Sequence, residues 1–419
     1  MHGREEKSKR TLYRYKHKSK VKESGISPYK LAWRRFRKNP ISVAGLIIIL
    51  LSVLISILGY VISPDKVRNA NSQVLEIALE KPGFSCEFLK VRINNHANTG
   101  SAFRSIFSGK QQNFIYVPIQ SWKFDDDRII VREYSKYSDD VFYSDYRLLD
   151  VCYPVDLSSY ECAEGSCRAE SIDGSILYSE KITELRNMVE QKYIQKKTFL
   201  LGTDRFGRDM LSRMILGTRV SLAVGFIAVL ISVVVGIILG GIAGYFRGWI
   251  DKMIMWLVNV VWSVPTLLLV ISITLVLGKG YWQVFVAVGL TMWVEVARVV
   301  RGQVLSVREK EYVEAARVLG MRPGRILFRH IIPNVLSPVI IISAANFATA
   351  ILLEAGLSFL GIGVQPPVPT WGGMIKDHYG YIIVNQGYLA FIPGFAIMIM
   401  VLSFTLVGNG LRDALDSRG

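Results

Sequence analysis

Six uncharged, apolar stretches constrain this chain more than anything else in it. They cover residues 41–62, 220–246, 253–278, 280–294, 331–353 and 379–411. A helix needs about 20 apolar residues to cross the hydrocarbon core, where the backbone must satisfy its own hydrogen bonds. Five of the stretches are long enough unaided, and the fourth becomes so if its helix continues through Glu295 to about Val300. The chain is therefore predicted to be an all-α polytopic membrane protein with six transmembrane helices. Composition agrees: 51% of the 419 residues are hydrophobic, yet the formal net charge is +16. That pairing suits a membrane protein with basic flanks and not a soluble domain.

The basic N-terminus, residues 1–40, holds fourteen Lys/Arg against three acidic residues. Lys/Arg near spans favour the cytoplasmic side. Threading from there puts both termini and the segments 247–252 and 295–330 inside, and 65–217, 279 and 354–387 outside. The eight Lys/Arg of 295–330 agree with that thread. Run 41–62 is too long for a signal-peptide core, and no A-x-A site follows it. The division is a basic cytoplasmic N-terminus at 1–40, a first transmembrane helix at 41–62, an extracytoplasmic lobe at 63–200, and a core of five transmembrane helices at 201–419. Residues 1–30 are expected to be disordered and to meet anionic lipid. Trp33 and Phe36, beside Arg34, Arg35, Arg37 and Lys38, read as an anchor at the membrane interface.

The lobe is predicted to be an α+β insertion. "NFIYVPIQSWKF" and "RIIVREY" have strand-like composition, and "ITELRNMVEQKY" is helix-like. All four cysteines, Cys86, Cys152, Cys162 and Cys167, fall in it. An oxidising compartment favours at least one disulfide; two would leave three connectivities open, and a zinc site, for which C-x-x-C spacing is lacking, or free thiols are the alternatives. After the lobe, Met210, Leu211, Met214 and Ile215 share one helix face, capped by Asp204 or Thr203. They suggest an interfacial elbow, or simply the lead-in to the second span.

Several chemistries are missing. No G-x-x-x-x-G-K-[ST] loop exists to cradle nucleotide phosphates. The histidines, at 2, 17, 96, 330 and 378, have no metal-ligand spacing, and no G-x-S-x-G elbow occurs. No catalytic residue, metal site or cofactor is predicted.

One polar segment is wedged between two spans: "EYVEAARVLGMRPGRILFRHIIPN", residues 311–334. Glu311 to Leu319 reads as a helix with Ala315 and Ala316 forming a small, closely approachable patch. Gly320 fits the C′ position, where left-handed geometry costs little. Pro323 fits the first turn of a second short helix, and Pro333 fits the bend from that helix into the next span. The product is a rigid, bent, cytoplasmic element. It has the flavour of a DNA-binding helix–turn–helix, but with spans on both sides it cannot enter a major groove. No nucleic-acid partner is expected.

The segment resembles the EAA loop of importer-type ABC-transporter permeases. Glu314, Ala315, Ala316, Gly320 and Pro333 stand at that pattern's spacing, with His330 and Ile332 replacing its Ile and Leu. "RHIIPN", "WRRFRKNP", "LGTDRFGRDMLSRMILGTRVSL" and "EAGLSFLGIGVQPPVPTWGGMI" point to the dipeptide/oligopeptide/nickel branch, specifically its second permease with a large first loop. The resemblance covers 31–62 and 201–419 and leaves out most of 65–200. It implies a multi-pass subunit of the bacterial cytoplasmic (inner) membrane that imports di- or oligopeptides and hydrolyses no ATP itself. It further implies a homologous permease, two cytoplasmic ATPase subunits and an extracytoplasmic substrate-binding protein as partners, besides membrane lipid. In that family the bent element docks on the ATPase, a role that would fall to Glu314, Ala315, Ala316, Arg317, Gly320 and Pro333. Nickel or another small solute is the alternative cargo. A membrane-anchored receptor is the alternative class, disfavoured because no output domain is present.

Polar residues inside spans face the bundle or a water-filled path. Ser343, Asn346, Ala350 and Glu354 share one face of the fifth span. Asn259, Ser263 and Pro265 interrupt the third. Asn259, Ser263, Ser343, Asn346 and Glu354 are thus candidates for the translocation path, with interhelical hydrogen bonding as the equal reading.

Overall fold

The computed structural model describes residues 28–93, 108–136, 141–278 and 280–415. The basic stretch before Pro28 lies outside these residues. Five described helices are long and apolar enough to cross a membrane, and a bent pair brings the number to six if it crosses as one span.

Helix α1 (Pro28–Phe36) leads into α2 (Pro40–Ile62), the first span. Asn39 caps α2 by accepting from the N–H groups of Ile41 and Ser42, and Pro40 fills the first turn. The expected interfacial pair separates here. Trp33 is half exposed, whereas Phe36 is buried against the last span beside Val407 and Ala414.

The insertion that follows is α+β. Strands β1 (Phe84–Arg92), β2 (Phe114–Asp125), β3 (Arg128–Glu133), β4 (Tyr143–Arg147) and β8 (Ile194–Phe199) form an antiparallel sheet in the order β4-β3-β2-β1-β8. Strands β5 (Glu161–Ala163), β6 (Ser166–Glu170) and β7 (Leu177–Lys181) form a second sheet. Short helices α3 (Leu148–Cys152) and α4 (Ile182–Met188) close a core containing Leu89, Ile129, Val131, Leu149 and Leu185. Cys162 and Cys167 pair across β5 and β6. Cys86 and Cys152 remain free and buried.

Helix α5 (Met210–Phe246) is continuous over 37 residues. No separate elbow exists: Met210 to Ile215 are its first turns. Its cap is Asp209, which accepts from Ser212 N–H at 2.9 Å, and not Asp204 or Thr203.

The third span is broken. α6 (Gly248–Ser263) and α7 (Thr266–Leu277) meet at 95°. Val264 precedes Pro265 and takes the extended conformation that a following proline imposes. Helix α8 (Tyr281–Val307) runs straight through Glu295.

After the bend come α9 (Glu311–Val318), α10 (Pro323–Ile326) and α11 (Ile332–Phe359). The expected bend at Pro333 does not occur. Pro323 to Phe359 is one spanning helix, relaxed by a π turn at Leu327–Ile331 just before the proline that has no N–H to offer. Helix α12 (Trp371–His378) packs beside the bundle, and α13 (Tyr388–Leu415) is the last span. The stretch expected to cross from 379 therefore starts crossing at Tyr388.

Close helix contact rests on small residues. Gly236, Gly240 and Gly244, one turn apart on α5, lie against Val296, Ala297 and Val304 of α8. A Cβ at Gly240 would sit 2.3 Å from the Ala297 carbonyl oxygen. Such small-xxx-small spacing is how apolar helices associate without a hydrophobic driving force.

Candidate functional site

The polar bend is built from two elements too short to be stable alone. Helix α9 ends in a Schellman motif: Gly320 N–H donates to Arg317 O (3.0 Å) and Met321 N–H to Ala316 O (3.2 Å). Gly320 has φ +72°, and a Cβ there would meet nothing within 4 Å. The demand for glycine is therefore one of backbone conformation, not of space. Pro323 opens α10.

Rigidity comes from beneath. Val313, Ala316, Ile326, Leu327 and Ile331 are buried against Tyr245 of α5 and Val300, Val304 and Val307 of α8. Asn334 Nδ2 donates to Tyr312 Oη (3.2 Å) and to His330 O (2.7 Å). Arg308 donates to Tyr245 O, and Arg247 pairs with Glu309 at 2.5 Å. Arg301 grips Asp251 with both Nε and Nη2 (2.5 and 2.7 Å), fixing α6 to α8.

The other face is open. Glu311, Glu314, Ala315, Arg317 and Pro333 are exposed. Ala315 and Ala316 do not form one patch: Ala315 faces outward, and Ala316 is seated on the bundle. Beside the turn, Val318 and Leu319 stand 83% and 76% exposed. Sequence reasoning passed over this pair.

The path candidates divide. Glu354 is fully buried inside the protomer, accepting from Ser358 Oγ (2.7 Å) and from Ser221 Oγ of α5 (3.4 Å). Asn346, about two turns earlier on α11, is also buried. Ser343 is half-buried, and its hydroxyl returns to Val339 O at 2.7 Å. Within the protomer Glu354 thus joins α11 to α5, while Ser343 bonds only within its own helix. Asn259 and Ser263 are exposed, and Ser263 Oγ donates to Val260 O (2.8 Å) next to the break.

A buried ionic knot joins the lobe to the bundle, and its parts were legible only as motif letters. Asp204 Oδ1 accepts from the N–H groups of Phe206 (2.9 Å) and Arg208 (3.0 Å). Its Oδ2 meets Arg208 Nε at 2.7 Å and Arg213 Nε at 3.4 Å, all three residues being nearly inaccessible. Around the knot Arg205 pairs with Asp377 (2.9 Å), Tyr388 Oη donates to Glu80 O (2.9 Å) and Gln386 Nε2 to Leu79 O (3.1 Å). His378 Nε2 accepts from Arg205 N–H, which leaves the proton on Nδ1 to donate to Met374 O. Burial lowers the His378 pKa and raises that of Asp209. Trp371 and its glycines pack here too: Trp371 Nε1 donates to Met214 O (3.2 Å), and Gly372 lies against Ala355.

Comparison with known proteins follows this anatomy. Residues 236–418 match the family described as binding-protein-dependent transport system inner membrane component. Residues 27–82 match the N-terminal TM domain of oligopeptide transport permease C. The dipeptide transport system permease protein DppC of Alkalihalophilus pseudofirmus is 43% identical over 217 residues, 52% of this chain and 71% of that protein. The glutathione transport system permease protein GsiD of Pectobacterium atrosepticum is 41% identical over 218 residues, 52% and 72% respectively. A solved inward-facing MetNI methionine ABC transporter aligns at 20% identity, covering 49% of this chain and 97% of that chain, with a TM-score of 0.41.

Proposed function

This chain belongs to the binding-protein-dependent inner-membrane transport components and is a permease subunit of an ABC importer, and from that premise we propose that it carries di- or oligopeptides inward on ATP hydrolysed by separate subunits. Its relatives are permeases for dipeptide and for glutathione, itself a tripeptide. The assembly we infer holds this chain, a homologous permease, two cytoplasmic ATPase subunits and an extracytoplasmic binding protein. Both termini and the bend face the cytoplasm, in keeping with the Lys/Arg excess of 1–40 and 308–330. The lobe then lies outside, where a disulfide persists. The lack of a phosphate-cradling loop agrees with hydrolysis elsewhere.

The observation that carries the coupling role is the bend itself. Val318 and Leu319 stand exposed on a charged element that is locked from below. Exposed apolar side chains on a polar, rigid projection suit a protein cleft and not lipid. Glu314, Ala315, Arg317 and the φ-constrained Gly320 surround them, and Pro333 closes the segment. ATPase closure would reach α8 and α11 through the packed face beneath.

Ala315→Trp adds bulk to this face without touching the backbone. In cells carrying it at matched abundance, we expect the ATPase subunits to be lost on copurification, or peptide uptake to fall at least tenfold. Normal uptake with the ATPase bound would reduce the bend to a connector.

A further inference from the structure

Three helices present outward faces suited to lipid. On α2 these are Ile47, Leu50, Leu54 and Ile57; on α5 Phe226, Leu230, Val234 and Ile238; on α13 Phe391, Phe395, Met398 and Leu402. Helix α8 differs. It is the most buried span, and at Glu295 its surface opens onto a carboxylate.

The depth of Glu295 follows from its neighbours. α5 and α8 run parallel, with Ala228 by Gly289, Gly236 by Val296 and Gly244 by Val304. Glu295 therefore lies at the level of Gly236. The uncharged stretch 220–246 has its midpoint at Val233, three residues or about 5 Å away along the axis. Glu295 is also 14 residues from Tyr281 and 12 from Val307, the two ends of α8. A carboxylate at mid-depth faces water or a partner charge, not hydrocarbon.

Glu295 makes no hydrogen bond or ion pair with any described residue. Arg298, one turn on, is drawn away: its guanidinium carbon lies 3.4 Å from the centroid of the Trp262 ring on α6. Through Trp262 the same surface continues to the exposed Asn259 and Ser263 at the break of the third span. Towards the bend it continues along α8 to the exposed Gly302, Gln303 and Ser306.

We propose that this face of α8 and α6 lines the water-filled translocation path, and that Glu295 receives the ammonium end of a peptide in transit. The assignment of the ammonium rests on the peptide reading above. A carboxylate and an ammonium make a charge-assisted hydrogen bond that replaces lost hydration. One such contact, with the nearby Arg298 held on the Trp262 ring, holds a substrate in register and still releases it.

The test uses the assembled importer in proteoliposomes, with trialanine as the transported probe. Glu295→Gln should cut trialanine uptake at least tenfold while the complex stays assembled and hydrolyses ATP, and Glu295→Asp should keep at least a third of it. In Glu295→Cys, a charged, water-soluble thiosulfonate should modify the new thiol. Wild-type uptake by Glu295→Gln would overturn the proposal. Loss of assembly would make Glu295 a contact between permeases instead. Modification by an apolar maleimide alone would place it in lipid. Should the wild-type importer carry no trialanine, the peptide reading and the ammonium assignment fall together, and thiosulfonate reactivity then decides the path position by itself.

Discussion

The bend at 311–334 and the lobe at 65–200 both project from the membrane-spanning bundle, yet they are held in opposite ways. The lobe has its own apolar core, two sheets and a disulfide, and it meets the bundle through a polar knot at Asp204, Arg208 and Arg213. The bend has no core of its own. Every buried side chain in it packs on α5, α8 or α11. An element that borrows its rigidity must move with the helices that lend it. An element with its own core can be added to a bundle, or shifted against it, without disturbing the spans. The family matches cover 27–82 and 236–418, so most of the lobe lies between them.

The largest effect is expected where the lobe is clamped. Asp204→Ala strands two buried guanidinium groups, a change that costs about 3–5 kcal/mol. Proteolysis should then cut near residues 200–210 while fragments of the lobe and of the bundle each survive. A chain cleaved at wild-type rate would mean that the knot does not secure the lobe.

Reduction should act on the lobe alone. Cys162 and Cys167 are five residues apart, and a loop that short contributes about 2 kcal/mol. Burial pushes the Cys86 thiol up to about 11 and the Cys152 thiol up to about 12, so both stay protonated and shielded. Alkylation of the folded chain should label no cysteine before reduction and two after it, with uptake little changed. Four labelled thiols would show a lobe far more open than its core indicates.

Gly320→Val tests the borrowed rigidity. Forcing a β-branched residue to positive φ costs roughly 1–2 kcal/mol, and it changes the angle between α9 and α10. Membrane abundance should hold, whereas uptake per bound ATPase should drop. Unchanged uptake would show that the angle carries no signal.

The smallest effect is a pH dependence at the junction. His378 is neutral in the fold, with a pKa lowered from 6.5 by burial. The unfolded chain therefore takes up this proton first as pH falls. Its contribution to stability is complete above pH 6.5 and is lost as pH drops towards the folded value. Thermal melts should show this decline in the wild-type chain and a weaker one in His378→Gln. Equal slopes would assign the decline to other groups.

Much of this was legible in the sequence because it depends on local chemistry. Uncharged length marks a span, since lipid accepts little else. Gly320 at C′ and Pro323 at N1 follow from which residues tolerate those backbone angles, and the β2 and β3 segments follow from their strand-like composition. The remainder depended on which neighbour covers which face. Periodicity put Ser343, Asn346 and Glu354 on one stripe, but only the packing of α5 against α11 buried Glu354 and gave it Ser221 as a partner. Glu295 read as an interruption in a span, and only the parallel run of α5 and α8 gave it a depth and an open side. Four cysteines in one loop allowed several pairings, and strand register chose one. A sequence states which groups a chain must satisfy. Which partners satisfy them is settled by contacts between residues far apart in the chain, such as Asp204 with Arg213 or Ser221 with Glu354, and those exist only once the helices have packed.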